Sequence, residues 1–509
     1  MSKLNKKSQP LSNTQVVVKV AAKNNLQLGI SANGNLQFKK EPLQHLYEIV
    51  VSTFFGKDTY YQTSNQLVTN MKKEVAQAVK MEEFDFVANL AIHARTEMHM
   101  RTIPIVLVVQ FANELRNQGK SYPQLRQLVC DVIQRADQIT DLFAYALDVF
   151  GGKNKVPMAI RRGVADACNK FGEYGFAKYD RAGMVKFKDV LRMVHPTAKN
   201  ETQGMIFKKI MEDCLETPYT WETELSMNGQ RGAERLSDKT LWTQLIESGK
   251  VGYMAMLRNL RNIIQAGVES KTSSIVAGII SDQKEVAKSK QLPFDLLEAY
   301  KIVKPLDTKL ATAVSKAIDL SCSNIPQLGN NVWIIIDYSG SMGSDDGIPI
   351  NSATMMASAL IKSSDMVDNL AVTLFGDEAK TLHGVDANNS VIGLQKDLLR
   401  HRTGRIAGYT NFDKALDERQ KLGFAPDTII VFTDGEVNRF PYRKLQALSG
   451  NVIKITVNMA AAPTTPLLKE DGWLSLSGWS TAIFKWIPAI REKETVVDKL
   501  SVPYMGLNR

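Results

Sequence analysis

The sequence reads Val332-Trp333-Ile334-Ile335-Ile336-Asp337-Tyr338-Ser339-Gly340-Ser341 at the point that decides the fold. A continuous apolar run that ends in a carboxylate is typical of a central parallel strand, which is covered on both faces. Similar apolar runs occupy residues 370–375 and 428–432, with helical patterns between them. This alternation of strands and helices predicts an α/β doubly wound domain over residues 328–492.

The residues before this domain have a different pattern. Apolar residues recur at spacings of three and four between about residues 40 and 320, which predicts helices. The region 16–325 is therefore predicted to be all-α, built from stacked helix pairs that are compatible with a HEAT-like solenoid, although no repeat of fixed period is visible. Residues 1–15 are predicted to be a flexible tail, and residues 493–509 a C-terminal tail.

The composition limits the class of protein. The chain has 509 residues, of which 44% are hydrophobic, and a formal net charge of +10. The length exceeds one typical domain of about 100 to 200 residues, and the charge favours a polyanionic partner such as a nucleic acid. The four cysteines form no CxxC pair, and no signal peptide or apolar run of about 18 residues is present. We therefore expect a cytoplasmic protein that does not enter a membrane.

Oxygen-bearing side chains follow two of the predicted strands. Asp337, Ser339 and Ser341 follow the first strand, Asp434 follows the third, and Thr410 lies in a loop between them. The carboxyl ends of strands in a doubly wound sheet meet at one edge, where ligands bind. Two carboxylates and three hydroxyls suit a hard divalent cation, Mg²⁺ above all, and leave a coordination position for water or a partner's carboxylate. The alternative is that these serines are turn residues only.

The order of these motifs is more specific than any one of them. DxSxS after an apolar strand, then Gly408-Tyr409-Thr410-Asn411, then Thr433-Asp434-Gly435, resembles the metal-ion-dependent adhesion site (MIDAS) of von Willebrand factor A domains. The resemblance implies a divalent-metal site whose ligands are Asp337, Ser339, Ser341, Thr410 and Asp434. Tyr409 stands where the family's threonine loop often has a second glycine. A domain with a vestigial metal site is the alternative.

The helical region carries a second resemblance. The segment Phe55-Gly56-Lys57-Asp58-Thr59-Tyr60-Tyr61 is similar to the start of the TROVE domain in Ro autoantigens. Further matches follow in the family's order, at residues 94–96, 178–179, 188–195, 220–222, 257–260, 292–294, 299–301 and 474–479. The resemblance spans about residues 40 to 490 and points to a bacterial or phage Ro-like protein.

This resemblance implies a function. The TROVE domain of the family is a ring of helical repeats that holds small noncoding Y RNA on a basic outer face and passes single-stranded 3′ ends of defective RNA through its hole. We therefore expect RNA quality control or a ribonucleoprotein scaffold, and a monomeric protein. An exoribonuclease tethered through RNA is an implied partner.

Particular residues match those through which family members contact Y RNA. Lys178 and His195 have the family's spacing, but Ala182 stands where the family has a further basic residue. The surrounding cations suit phosphate contacts and are Arg161, Arg162, Arg181, Lys188 and Arg192. The alternative for these cations is a solvated helix face.

Two other functions are open to this sequence. A metal-dependent protein-interaction module would use the MIDAS-like site to bind an acidic residue of a partner. A hydrolase would use the metal to activate water, but His383 and His401 lie outside the motifs and no Ser/His/Asp pattern is present. We therefore expect no catalytic residues and no enzymatic activity. Arg95 and Arg101 fit either contact with RNA in the ring or charges at a helix end.

Overall fold

A computed structural model gives the fold. The residues it describes are 13–24, 26–30, 36–52, 64–180, 185–216, 220–230, 232–249, 251–289, 291, 293–322, 325, 329–343, 348–363, 369–383, 385–402, 406–436, 444–445, 448, 452–459, 464–465, 467, 471–477 and 495–507. The predicted TROVE segment at 55–61, Arg181 and Ala182 lie outside them.

The described chain contains helices and strands in two compact units. The strands are β1 Leu28–Ile30, β2 Leu36–Lys39, β3 Asn331–Asp337, β4 Asn369–Phe375, β5 Ala379–Leu382, β6 Thr428–Thr433, β7 Ile453–Asn458, β8 Thr464–Thr465 and β9 Trp473–Ser477. The helices before β3 are α1 Asn13–Asn24, α2 Pro42–Ser52, α3 Ser64–Lys80, α4 Phe84–Thr96, α5 Ile103–Asn117, α6 Leu125–Val132, α7 Asp137–Phe150, α8 Met158–Cys168, α9 Glu173–Tyr179, α10 Phe187–Val194, α11 Glu201–Met211, α12 Trp221–Gln230, α13 Asp238–Glu247, α14 Tyr253–Gln265, α15 Ser270–Ile280, α16 Gln283–Ser289, α17 Pro293–Val303 and α18 Thr308–Ser321. The later helices are α19 Ile348–Lys362, α20 Val391–Arg400, α21 Phe412–Asp417 and α22 Val496–Leu500.

The sheet unit comprises residues 1–67 and 322–495. Its main sheet has the strand order β5-β4-β3-β6-β7-β9, in which only β5 is antiparallel to its neighbour. β3 lies in the middle and is buried at every position after Asn331, because helices cover both faces of a parallel sheet. The predicted α/β doubly wound fold is confirmed.

Residues near the start of the chain complete the core of this unit. Val17 and Val20 of α1 and Phe38 of β2 belong to the same buried cluster as Trp333 and Val431. β2 also pairs antiparallel with β1 and with β8. The compact unit therefore includes apolar residues that lie within the predicted helical region 16–325, since the sheet needs them to cover one of its faces.

A buried polar cluster holds α2 against the sheet. The carboxylate of Glu48 is fully buried and pairs with Lys40. It also accepts hydrogen bonds from Asn458 Nδ2 at 2.9 Å and from Ser475 Oγ at 2.6 Å. These donors compensate for the loss of water around the charge, so the contact between α2 and the strands has a defined geometry.

The helical unit comprises residues 68–321 and 496–509. Its helices pack on near neighbours in sequence, as in α4 with α5, α6 with α8, α10 with α11 and α17 with α18. The predicted all-α character of this part of the chain is confirmed. No helix in the described ranges is both long and apolar enough to cross a bilayer.

The last described residues pack on this unit, although the sequence predicts a tail there. Asn89 Nδ2 donates to the carbonyl oxygens of Leu500, at 3.0 Å, and Val502, at 2.7 Å. Tyr504 is 5% exposed, and its hydroxyl donates to Asp131 Oδ2 at 2.7 Å. Burial and this hydrogen bond to Asp131 raise the pKa of Tyr504. Residues 496–507 are therefore part of the folded unit.

The Tyr504→Phe variant is expected to lower the free energy of unfolding by about 1 to 3 kcal/mol, because the buried Asp131 carboxylate loses a donor. Chemical denaturation of the full chain measures this change. The matched control is Tyr174→Phe, which removes a hydroxyl from a tyrosine that is 57% exposed. Equal effects of the two variants would contradict the contribution that we assign to the buried hydrogen bond.

Candidate functional sites

The candidate metal site lies at the carboxyl ends of β3 and β6, which are neighbours in the sheet. Asp337 ends β3 and is 0% exposed, and Asp434 follows β6 and is 1% exposed. Ser339, Ser341 and Thr410 are also buried. Gly340 N donates to Gly408 O at 3.0 Å, which joins the serine turn to the threonine loop. The fold thus brings the three predicted motifs to one edge of the sheet.

The hydrogen bonds of the two carboxylates differ. Asp337 Oδ1 accepts from Ser339 N at 2.9 Å, and Oδ2 accepts from Thr433 Oγ1 at 2.8 Å. Asp434 Oδ1 accepts from Glu436 N at 3.0 Å. Asp434 Oδ2 is buried and has no hydrogen-bond partner among the described residues. A buried carboxylate oxygen without a donor is costly, so this atom is suited to a cation.

The electrostatics of the site also favour a cation. Burial raises the pKa of Asp337 to about 6. Burial and the charge of Asp337 together raise the pKa of Asp434 to about 8. Two carboxylates in a region of low dielectric disfavour ionisation of each other. A divalent ion between them would stabilise the doubly ionised state.

Two glycines allow the loops at this edge to approach closely. A Cβ atom added at Gly376 would lie 1.8 Å from Ile406 O, and one at Gly408 would lie 1.9 Å from Asp377 Oδ2. Tyr409, where the family often has glycine, donates its backbone N–H to Asp377 Oδ1 at 2.9 Å. Its side chain is 75% exposed, so the tyrosine is accommodated outside the packed part of the loop.

The donor set fits a hard cation. The five predicted ligands carry only carboxylate and hydroxyl oxygens, which Mg²⁺ prefers to nitrogen or sulfur. No group of three or more His, Cys, Asp or Glu residues suited to a metal ion occurs in the described part of the chain. A metal held here would therefore draw on hydroxyl oxygens in addition to the two carboxylates.

Sequence reasoning missed three residues around this site. Arg402 Nη2 donates to Ser339 O at 3.4 Å, and its charge partly opposes the burial that raises the pKa of Asp337. Thr433 holds Asp337 through its hydroxyl, and the charge of Glu436 raises the pKa of Asp434. Thr433 and Glu436 lie within two residues of Asp434, so the sequence could have indicated that they surround it. Arg402 belongs to no recognisable motif, so nothing in the sequence places it at this site.

The carboxylates give a pH-dependent stability that a metal should change. In a chelator, the free energy of unfolding is expected to fall as pH rises from about 4 to about 8. The folded state keeps the proton of Asp337 to about pH 6 and that of Asp434 to about pH 8, whereas the unfolded chain releases both near pH 4. Added Mg²⁺ competes with those protons and should restore stability at pH 8. Thermal unfolding midpoints across this pH range, in EDTA and in MgCl₂, measure both effects.

The Asp434→Asn variant is expected to show a smaller pH slope and a smaller response to Mg²⁺ than the native chain. Asp397→Asn, at an exposed carboxylate on α20, is the matched control and should keep both. A native protein with the same midpoint in EDTA and in MgCl₂ at pH 8 would contradict the metal assignment.

The predicted RNA-contacting residues lie mainly around α9 and α10. Lys178 Nζ lies 5.8 Å from the centroid of the Tyr179 ring and 6.0 Å from that of Tyr174. His195 ends α10 with a left-handed backbone, φ 48°, and its side chain is exposed. A left-handed residue commonly ends an α-helix, and His195 N donates to Leu191 O there.

The other predicted cations differ in whether they already pair with a group of the protein. Arg162 and Arg192 are exposed. Arg161 is half-buried and donates to the carbonyl of Lys153. Lys188 pairs with Asp213, an acid that the sequence analysis did not identify. Arg162, Arg192 and His195 are therefore better placed to meet an external anion than Arg161 and Lys188.

Comparison with known protein families matches two adjoining segments of the chain. A family model described as the TROVE domain matches residues 214–332, and one described as the von Willebrand factor type A domain matches residues 332–436. The predicted order of the two domains is confirmed. The TROVE match covers only the later part of the region 16–325, whose predicted boundaries remain a prediction.

Two curated relatives share a short region with this chain. Telomerase protein component 1 is 35% identical in Mus musculus and 36% in Rattus norvegicus, each over 101 residues. These residues are 20% of this chain and 4% of the relatives, so only a small part of those proteins is represented here. The crystal structure of the Deinococcus radiodurans Ro (Rsr) protein has a TM-score of 0.59 at 16% identity, over 89% of this chain and 100% of that one. The two proteins therefore share a fold.

Proposed function

We propose that this chain, which joins a TROVE domain to a von Willebrand factor A domain, is an RNA-binding protein of the Ro type. It holds a small noncoding, Y-like RNA on a basic outer face and takes single-stranded 3′ ends of misfolded RNA into a helical ring. It acts as a cytoplasmic monomer in RNA quality control or as a ribonucleoprotein scaffold, with an exoribonuclease tethered through the RNA. Its activity is binding, not catalysis.

The basic surface around α10 carries this proposal. Asp213 has a lowered pKa because it accepts from Lys188 and lies near Lys186 and Arg192. Asp180 also interacts with Lys186 and Lys188, so the cation left for an external anion on this surface is the exposed Arg192, which shares α10 with the exposed His195. Such a surface attracts phosphates through displacement of condensed counterions. An imidazole at its edge can donate to a phosphate or stack on an unpaired base.

The Lys178→Ala/His195→Ala variant is expected to bind RNA from the native source at least about 10-fold more weakly. The slope of log affinity against log salt concentration should become smaller by about 1, which corresponds to the loss of one phosphate contact. Fluorescence anisotropy over a salt series measures both quantities. Lys316→Ala, which removes an exposed cation from α18, is the control and should bind as the native protein does. Unchanged affinity of the double variant would show that RNA does not use these residues.

We further propose that Asp337, Ser339, Ser341, Thr410 and Asp434 hold a divalent cation, Mg²⁺ in particular. The ion would supply a Lewis-acidic position for water or for a carboxylate of a protein partner. The buried Asp434 Oδ2, which lacks a donor among the described residues, supports this role. A second function, a metal-dependent interaction module for an acidic partner, uses the same site.

The two functions can be separated by mutation. Asp337→Ala is expected to leave RNA affinity within roughly twofold of the native value, because the RNA-contacting residues belong to the other compact unit. The same variant should lose the stabilisation by Mg²⁺. RNA anisotropy and thermal unfolding of the same preparation measure both effects. A parallel loss of RNA affinity in a folded Asp337→Ala protein would show that RNA binding depends on the metal site.

A further inference from the structure

Tyr409 is an exposed aromatic residue directly beside a proposed metal ligand. Its side chain is 75% exposed, whereas Thr410, the next residue, is 2% exposed. Consecutive Cα atoms are about 3.8 Å apart, which is less than the length of a tyrosine side chain. A ligand that reaches the candidate metal site from solvent therefore passes within reach of this ring.

The backbone that carries the ring is fixed. Tyr409 N donates to Asp377 Oδ1 at 2.9 Å. Gly340 N donates to Gly408 O at 3.0 Å, just before the tyrosine. A Cβ atom at Gly408 would lie 1.9 Å from Asp377 Oδ2, so the loop is tightly packed there. A ring on such a backbone has only its side-chain torsions to lose, so contact with a partner costs little conformational entropy.

Positive charges near the site favour an anionic ligand. Arg402 Nη2 donates to Ser339 O at 3.4 Å, so a guanidinium lies beside the serine turn. Lys380 is exposed, and its Nζ lies 3.4 Å from Nδ1 of His401, the residue that precedes Arg402. A divalent ion at the site would add to this positive charge. The ligand chemistry that complements these groups is a carboxylate.

Two carboxylates limit how acidic that ligand can be. Asp377 is engaged by the backbone of Tyr409, and Glu378, which follows it, is exposed. A run of acidic residues would bring further carboxylates toward these two, and like charges repel. The loop therefore suits a ligand that carries one carboxylate and presents an uncharged surface to the ring.

We propose that Tyr409 and the metal site together form a docking surface for a protein segment in which a single Asp or Glu lies next to an apolar side chain. The carboxylate binds the metal, and the apolar side chain packs on the ring. The inference rests on the proposed interaction module and names the chemistry of its partner. Aromatic side chains on rigid backbones are prominent among the residues that dominate protein interfaces. A glycine at this position would not supply the contact.

The partner chemistry is tested by selecting phage-displayed random peptides on the immobilised full chain in MgCl₂, with elution by EDTA. The native chain is expected to enrich peptides that carry one Asp or Glu beside an apolar residue. The Tyr409→Ala chain should enrich the carboxylate without the apolar neighbour, because it keeps the metal ligands and lacks the ring. Selection on the two chains in parallel isolates the contribution of the tyrosine.

The peptide that the native chain enriches most is then used as a fluorescent probe in MgCl₂. Tyr409→Ala is expected to bind it about 10-fold more weakly, and Tyr409→Phe, which keeps the ring, within roughly twofold of the native chain. Tyr174→Ala removes a 57% exposed tyrosine from the helical unit and is the matched control, which should bind as the native chain does. Both Tyr409 variants should keep the stabilisation by Mg²⁺, since no ligand to the metal is changed.

Each other outcome has a defined meaning. Carboxylate peptides without an apolar neighbour on the native chain, or equal affinities of the native and Tyr409→Ala chains, would overturn the role of the ring and leave the metal site standing. Enrichment of acidic runs would overturn the single-carboxylate partner. Displacement of the probe by single-stranded RNA would assign the surface to a nucleic acid instead. A native chain that yields no EDTA-eluted peptide would overturn both the inference and the interaction module.

Discussion

Two carboxylates buried at the ends of neighbouring parallel strands constrain the sheet unit. Asp337 and Asp434 lie where β3 and β6 end, and each is almost completely shielded from water. The shielding follows from the strands themselves, because their apolar residues need cover on both faces and the loops that follow must pack against one another. Ionised carboxylates in such a place need compensation, and the backbone N–H groups and hydroxyls around them provide only part of it. A cation would complete that compensation.

The same need for cover explains how the chain is divided. The face of the sheet that carries Trp333 and Val431 is closed by α1 and by Phe38 of β2, which come from a distant part of the sequence. Glu48 of α2 secures this arrangement, since a buried charge tolerates few alternative positions for its donors Asn458 and Ser475. The extent of the sheet unit is thus set by which residues are buried against the sheet. It does not coincide with the point where the sequence changes from a helical pattern to alternating strands and helices.

The features that sequence reasoning predicted correctly are those with a local signature. An apolar run followed by DxSxS identifies both a strand and the polar residues at its end, because the two are adjacent in the chain. The hydrogen bond from Gln138 to Arg101 has no such signature, since the two residues lie 37 positions apart. Arg402 reaches Ser339 across 63 residues. Such contacts depend on tertiary packing, which periodicity does not encode.

Like charges lie close together in both compact units, carboxylates in the sheet unit and guanidinium groups in the helical unit. In each unit, contacts with neighbouring segments hold these groups in place. In the sheet unit, Asp337 and Asp434 are held together by the strand register, and their mutual repulsion favours a cation. In the helical unit, Gln138 holds the segments that carry Arg95, Arg101 and Arg135, and burial together with the charges of Arg101 and Arg135 lowers the pKa of Arg95. In both places the rest of the fold stabilises an arrangement that would be unfavourable by itself. A divalent cation would relieve that repulsion in the sheet unit, and this is the physical reason to propose a metal site there.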